Sequence, residues 1–74
     1  MSRVVRVEAY WDSADPSSAG WYARTRLASG DEGDDSMKIW SPLAAITDLS
    51  RDRADEVRRI CADAYPGAKI EVEA

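Results

Sequence analysis

The last third of this 74-residue chain, Leu49 to Ala74, constrains its fold more than any other segment. After Ser50-Arg51-Asp52-Arg53, the residues Ala54, Val57, Ile60, Cys61 and Ala64 recur three or four apart. That spacing gathers apolar side chains on one stripe of a helix. Tyr65-Pro66-Gly67 interrupts the pattern. A residue that precedes proline is pushed out of helical geometry, which predicts a helix end near Ala64. Ile70 and Val72 then alternate with Lys69, Glu71 and Glu73, the period of a strand with one buried face. Ser50 is the predicted N-cap, with Leu49 packing on Ala54 as a hydrophobic staple.

Nearer the N-terminus, Val5, Val7, Ala9 and Trp11 alternate with Arg6, Glu8 and Tyr10. Trp21, Ala23, Thr25 and Leu27 alternate with Tyr22, Arg24 and Arg26. Between them, Asp15-Pro16-Ser17-Ser18 carries turn chemistry, with φ fixed by proline and side-chain acceptors on Asp and Ser. The two runs therefore read as a hairpin, with Trp11 and Trp21 closing one edge of the core. Ser29 to Ser36, with two glycines and four carboxylates, reads as an exposed acidic loop. Met37-Lys38-Ile39-Trp40 reads as a short third strand, and Ser41-Pro42 can start a helical turn because proline is tolerated at the first helical position. The expected architecture is α+β, one domain over residues 1–74. It has an antiparallel-rich sheet in β-β-β-α-β order and one amphipathic helix packed on one face.

Size and composition narrow the function classes. A chain this short buries only roughly 60–65% of the surface its unfolded form exposes, so a deep cleft is hard to house. With 14 Asp+Glu against 10 Lys+Arg and no histidine, the net charge is −4. Bulk attraction to nucleic acid, which comes from excess Lys and Arg, is disfavoured, and attraction to a basic protein surface is favoured. Without histidine there is no Ser-His or Cys-His pair. Zinc-ligand spacing and phosphate-cradling glycine loops are missing from the sequence. The Asp31–Asp35 run offers oxygen ligands without EF-hand spacing. No enzyme activity, cofactor or metal is expected. Cys61, on the apolar stripe of the helix, reads as a small core hydrophobe. No apolar run is long enough for a membrane span. Met1-Ser2-Arg3-Val4-Val5-Arg6 lacks the apolar stretch of a secretion signal, so the expected setting is the cytoplasm.

If Val5, Val7, Trp21, Ala23, Ile39, Ile70 and Val72 face the helix, the other face of the sheet carries Arg6, Tyr10, Tyr22, Arg24, Arg26, Lys38 and Trp40. Aromatic residues with arginine are the composition of interface anchors. The same face also suits a stacking platform for single-stranded nucleic acid, or plain sheet surface with cross-strand pairs. On the helix, Asp55 with Arg59 and Glu56 with Arg59 are expected ion pairs of a solvated face.

Val7-Glu8-Ala9-Tyr10-Trp11-Asp12 followed by Gly20-Trp21-Tyr22-Ala23 resembles the opening hairpin of HicB-like antitoxin domains, whose β-β-β-α-β order resembles a partial RNase H fold. The resemblance implies toxin binding. The family's Pro-Gly-Cys stretch after the second strand is replaced here by the acidic Ser29–Ser36 segment. The resemblance does not extend to the family's C-terminal DNA-binding segment, so it does not imply DNA autoregulation.

The function these features favour is stoichiometric binding to a protein partner with a basic surface, or to a second copy as a homodimer. Asp31, Glu32, Asp34 and Asp35 would supply charge, with Tyr22, Arg24, Arg26 and Trp40 as contact residues. As a class, such a chain resembles small acidic phage inhibitors, including anti-CRISPR proteins and nucleic-acid mimics. The alternatives are a HicB-like antitoxin module and single-strand nucleic-acid binding on the outer sheet face.

Overall fold

In the computed structural model, which describes residues 3–74, strands β1 (Val4–Asp12) and β2 (Gly20–Leu27) form the expected hairpin. Met1 and Ser2, the first two residues of the stretch read for a secretion signal, lie outside the described residues. Val7 sits opposite Thr25, Ala9 opposite Ala23 and Trp11 opposite Trp21. Strand β3 (Glu32–Asp35) pairs antiparallel with β2, and β4 (Lys69–Glu73) pairs parallel with β1. The sheet is therefore mixed, in the order β3-β2-β1-β4. A parallel neighbour requires a crossover, and helix α1 (Ala54–Ala64) lies within it. Together the elements make an α+β fold, with a 3-10 helix (Pro42–Asp48) at the point where Ser41-Pro42 can start a helical turn.

The core lies between the sheet and the two helices. Val7, Ala9, Trp21, Ala23, Leu43, Ile46, Val57 and Cys61 are buried. Full burial of aliphatic side chains such as Leu43, Ile46 and Val57 contributes roughly 1.5–3 kcal/mol each. Trp11 packs edge-on against Trp21, with ring centroids 5.8 Å apart, and closes the core edge as the alternation predicts. The Trp21 indole N–H donates to the Ser50 carbonyl at 2.8 Å, so the largest core residue also leaves no polar atom unpaired. Ser41 caps the 3-10 helix through its hydroxyl, which accepts the Leu43 N–H at 3.2 Å, and Pro42 takes the first turn.

Several expectations are corrected. The third strand is not Met37–Trp40, which forms turns; it is Glu32–Asp35, inside the segment read as an exposed loop. Acidic residues and glycine disfavour strands, but the turn before them overrides propensity. The Gly30 N–H donates to the Leu27 carbonyl at 2.9 Å and the Leu27 N–H donates to the Asp31 carbonyl at 2.8 Å. Gly30 itself takes φ +95°, a left-handed conformation that a glycine adopts without steric cost. The hairpin so formed delivers Glu32–Asp35 onto the β2 edge.

Val5 does not face the helix. The β1–β2 register shifts between Val4 and Arg6, and Val4 packs against the core instead. Ile39, expected inside, is almost fully exposed. At the start of α1, Arg53 occupies the N-cap position with no side-chain hydrogen bond, and the Ser50 hydroxyl bonds to Asp52 instead. Arg59 pairs with Glu56, as expected, and with Asp63 at 3.2 Å; the Asp55–Arg59 pair does not form.

Candidate functional site

Outward-facing residues of β2, β1 and β4 form rows across the sheet. Arg26 pairs in register with Arg6 and Arg6 with Lys69; Arg24 pairs with Glu8 and Glu8 with Glu71. A third row joins Tyr22 to Tyr10 and Tyr10 to Glu73. These charges largely answer one another. Arg6 binds Glu71 at 2.6 Å, Arg26 approaches Glu8 at 3.8 Å, and Lys69 approaches Glu71 at 3.7 Å. Glu71 is held below the usual carboxylate range by the Arg6 hydrogen bond. Arg24 lies 5.5 Å from the Tyr10 ring centroid and 3.8 Å from Glu32. Tyr22 is half-buried, its ring 6.2 Å from that of Tyr10, and its hydroxyl donates to the Ser18 carbonyl. Tyr22, Arg24 and Arg26 therefore do share the outer face, but their polar groups are engaged within the chain.

The concavity on this face, about 130 Å³, is lined by Glu8, Ala9, Tyr10, Arg24, Glu71 and Glu73. That falls below the roughly 300–1,000 Å³ of small-molecule sites. Among the described residues, no group of three or more His, Cys, Asp or Glu could hold a metal ion. No helix there is long and apolar enough to cross a membrane. Cys61 is buried, and desolvation pushes its thiol up to about 11 despite the attraction of Arg58, so little thiolate exists near neutrality.

The four carboxylates expected in a free loop belong to β3 and its approach. Asp31 and Glu32 are exposed, whereas Asp34 and Asp35 are half-buried. Asp34 accepts the Tyr65 hydroxyl at 3.2 Å, and Asp35 accepts the Met37 N–H at 2.9 Å. Glu32 has Arg24 nearby, but no cation among the described residues reaches ion-pair distance of Asp31, Asp34 or Asp35.

Directly after β3, the chain turns outward. Met37, Ile39 and Trp40 are 70%, 96% and 65% exposed. Neither Trp40 nor Lys38 lies on the sheet, where the alternation places them; both lie on this turn. Fixed points hold the turn at both ends. Ser36 is buried, its N–H donating to the Ala23 carbonyl at 2.8 Å and its hydroxyl accepting the Ala23 N–H at 2.9 Å. Ser41 is buried and its N–H donates to the Lys38 carbonyl at 2.9 Å. The Lys38 N–H closes a further turn onto the Asp35 carbonyl at 3.2 Å. Three large apolar side chains are thus held out on a hydrogen-bonded tip between two anchored serines. Sequence pattern missed Met37 and Ile39 as surface residues, because a four-residue apolar run carries too little periodicity to separate strand from turn.

No family model, curated protein or solved structure matches this chain.

Proposed function

We propose that this chain is a non-enzymatic protein-binding domain that acts stoichiometrically, with the Met37–Trp40 tip as its contact. The observation that carries the reading is the near-complete exposure of Ile39 between Met37 and Trp40 on an anchored turn. Apolar side chains standing alone on a surface need no explanation, but three on one short turn form a patch of the kind that marks interaction sites. Methionine and tryptophan are both enriched in interface cores. The tip replaces the outer sheet face as the preferred contact. On that face Arg6, Arg24 and Arg26 are matched by Glu71, Glu32 and Glu8, so a phosphate backbone would have to displace existing partners.

The test is capture from native lysate on immobilised protein, with and without nuclease, comparing the wild type with Ile39→Asp. The reading expects a protein retained by the wild type regardless of nuclease and lost with Ile39→Asp. Equal retention by the two forms would remove the tip from the contact, and nuclease-sensitive retention would move the function to nucleic acid.

A further inference from the structure

Resting on the reading of the tip as a protein contact, we infer that the partner surface is an apolar stripe with lysine or arginine along one side, presented by a basic amphipathic segment. Three side chains cannot by themselves provide the roughly 800 Å² per partner of a standard interface, so the contact must extend beyond Met37, Ile39 and Trp40. The neighbouring surface is set by the chain itself. Asp35 is bonded to the Met37 N–H at the base of the tip, and β3 runs away from it through Asp34 to Glu32 and Asp31. At about 3.3 Å per residue, the run from Asp35 to Asp31 extends roughly 13 Å from the base of the apolar cluster. β3 is also an edge strand, with only β2 beside it.

Charge compensation distinguishes this strip from the arginine-bearing rows of the outer face. Arg6, Arg24 and Arg26 each have a carboxylate partner, whereas Asp31, Asp34 and Asp35 have no cation in ion-pair range among the described residues. A partner that covers the strip desolvates Asp31 and Asp35, while Asp34 already holds the Tyr65 hydroxyl, and that desolvation is costly unless the partner brings opposite charge. A second copy would bring the same carboxylates, with Lys38 as the one cation of the tip to set against them. An anionic lipid surface would be repelled by the same strip. A segment with leucine-like side chains on one face and lysines beside them satisfies both parts of the surface.

The direct test uses two synthetic amphipathic helices, each with leucines on one face and flanked either by lysines or by glutamates. Binding is read by anisotropy of the labelled peptide against the full chain. The lysine peptide is expected to bind about tenfold tighter than its twin, the size that two or three exposed ion pairs reach, with the difference shrinking as salt rises. Asp31→Asn with Asp35→Asn should remove most of the preference, since asparagine keeps the oxygen that accepts the Met37 N–H. Lys38→Glu should strengthen lysine-peptide binding. Equal binding of the two peptides, abolished in both by the uncharged Ile39→Asn, would overturn the basic side of the partner while leaving the tip as a contact. Lysine-peptide binding unaffected by Ile39→Asn would overturn the tip reading itself, and binding of neither peptide would overturn the inferred partner chemistry. Tighter self-association than peptide binding in sedimentation would assign the surface to a second copy instead.

Discussion

The Tyr65 hydroxyl donates to Asp34 Oδ2 at 3.2 Å, tying the end of α1 to the edge strand β3 across 31 residues of chain. β3 itself is short and acidic, so this tie holds an element that its own residues would not keep in a sheet. Replacing Tyr65 by Phe should destabilise the fold by about 1 kcal/mol, the ordinary net worth of one such bond. Urea unfolding of the two forms measures it. An unchanged midpoint would mean that β3 stays docked without this bond.

A Cβ added at Gly33 would stand 2.5 Å from Thr25 Oγ1 and 3.1 Å from Leu27 Cδ2. Thr25 is fully buried, and its hydroxyl donates to the Asp34 carbonyl at 2.9 Å. Gly33→Ala should therefore cost roughly 1–3 kcal/mol as an overpacking change. In the double variant with Thr25→Ala, the obstructing oxygen is gone. The cost of Gly33→Ala in that background should be smaller than alone, a coupling that a double-mutant cycle resolves.

These residues also show where sequence is informative. Helix α1 was legible because its stripe from Ala54 to Ala64 is uninterrupted and Pro66 marks its end. The β1–β2 hairpin was legible because alternation survives nearly its full length, failing only at the shift near Val5. The third strand was not. Its stability comes from the local Gly30 turn and from two tertiary facts, the space above Thr25 that Gly33 leaves open and the bond from Tyr65. Ile39, which alternation sends to the core, is surface; Trp40, which alternation sends outward on a strand, is exposed on a turn instead. Of the site residues, Tyr22, Arg24 and Arg26 could be assigned correctly to one face, yet their engagement with Ser18, Glu32 and Glu8 depends on register that sequence does not supply.

Ile39 and Ile46 make a controlled contrast, since one is 96% exposed and the other fully buried. Ile46→Ala should cost about 2–5 kcal/mol through lost burial and the cavity left behind. Ile39→Asp should change stability by no more than about 0.5 kcal/mol. Thermal unfolding of both variants checks this, and a large loss at Ile39 would show that the tip packs against the body of the chain.

Cys61 predicts an alkaline limb. Burial raises its thiol from the ordinary 9.0 to about 11, so the folded state keeps a proton that the unfolded chain releases. Stability should be fully present below pH 9 and decline as pH rises through about 11, by at most roughly 3 kcal/mol. Tyr65 is also raised, by burial and then by Asp34, and would add to the same limb. The measurement is therefore made in a Tyr65→Phe background, with and without Cys61→Ala. The slope should flatten when the thiol is removed, whatever the absolute stability of that variant.

The acid limb tests the outer face. Glu71 is held low by its hydrogen bond to Arg6, opposed by desolvation and helped by the charges of Arg6 and Lys69. A carboxylate depressed in the folded state contributes stability above its unfolded value that is lost as pH falls through its folded one. Glu71→Gln should therefore shallow the fall in stability below about pH 4.5. Glu56, depressed by Arg59, and Asp15, depressed by the Ser17 N–H and hydroxyl, contribute to the same limb. Arg6→Gln should shallow the same limb, because either change breaks the one pair. Both groups are substantially exposed, so the effect should weaken in high salt. An acid limb identical in the wild type and both variants would mean that Arg6 and Glu71 are separated in solution, which would leave this arginine available on the outer face for an external anion.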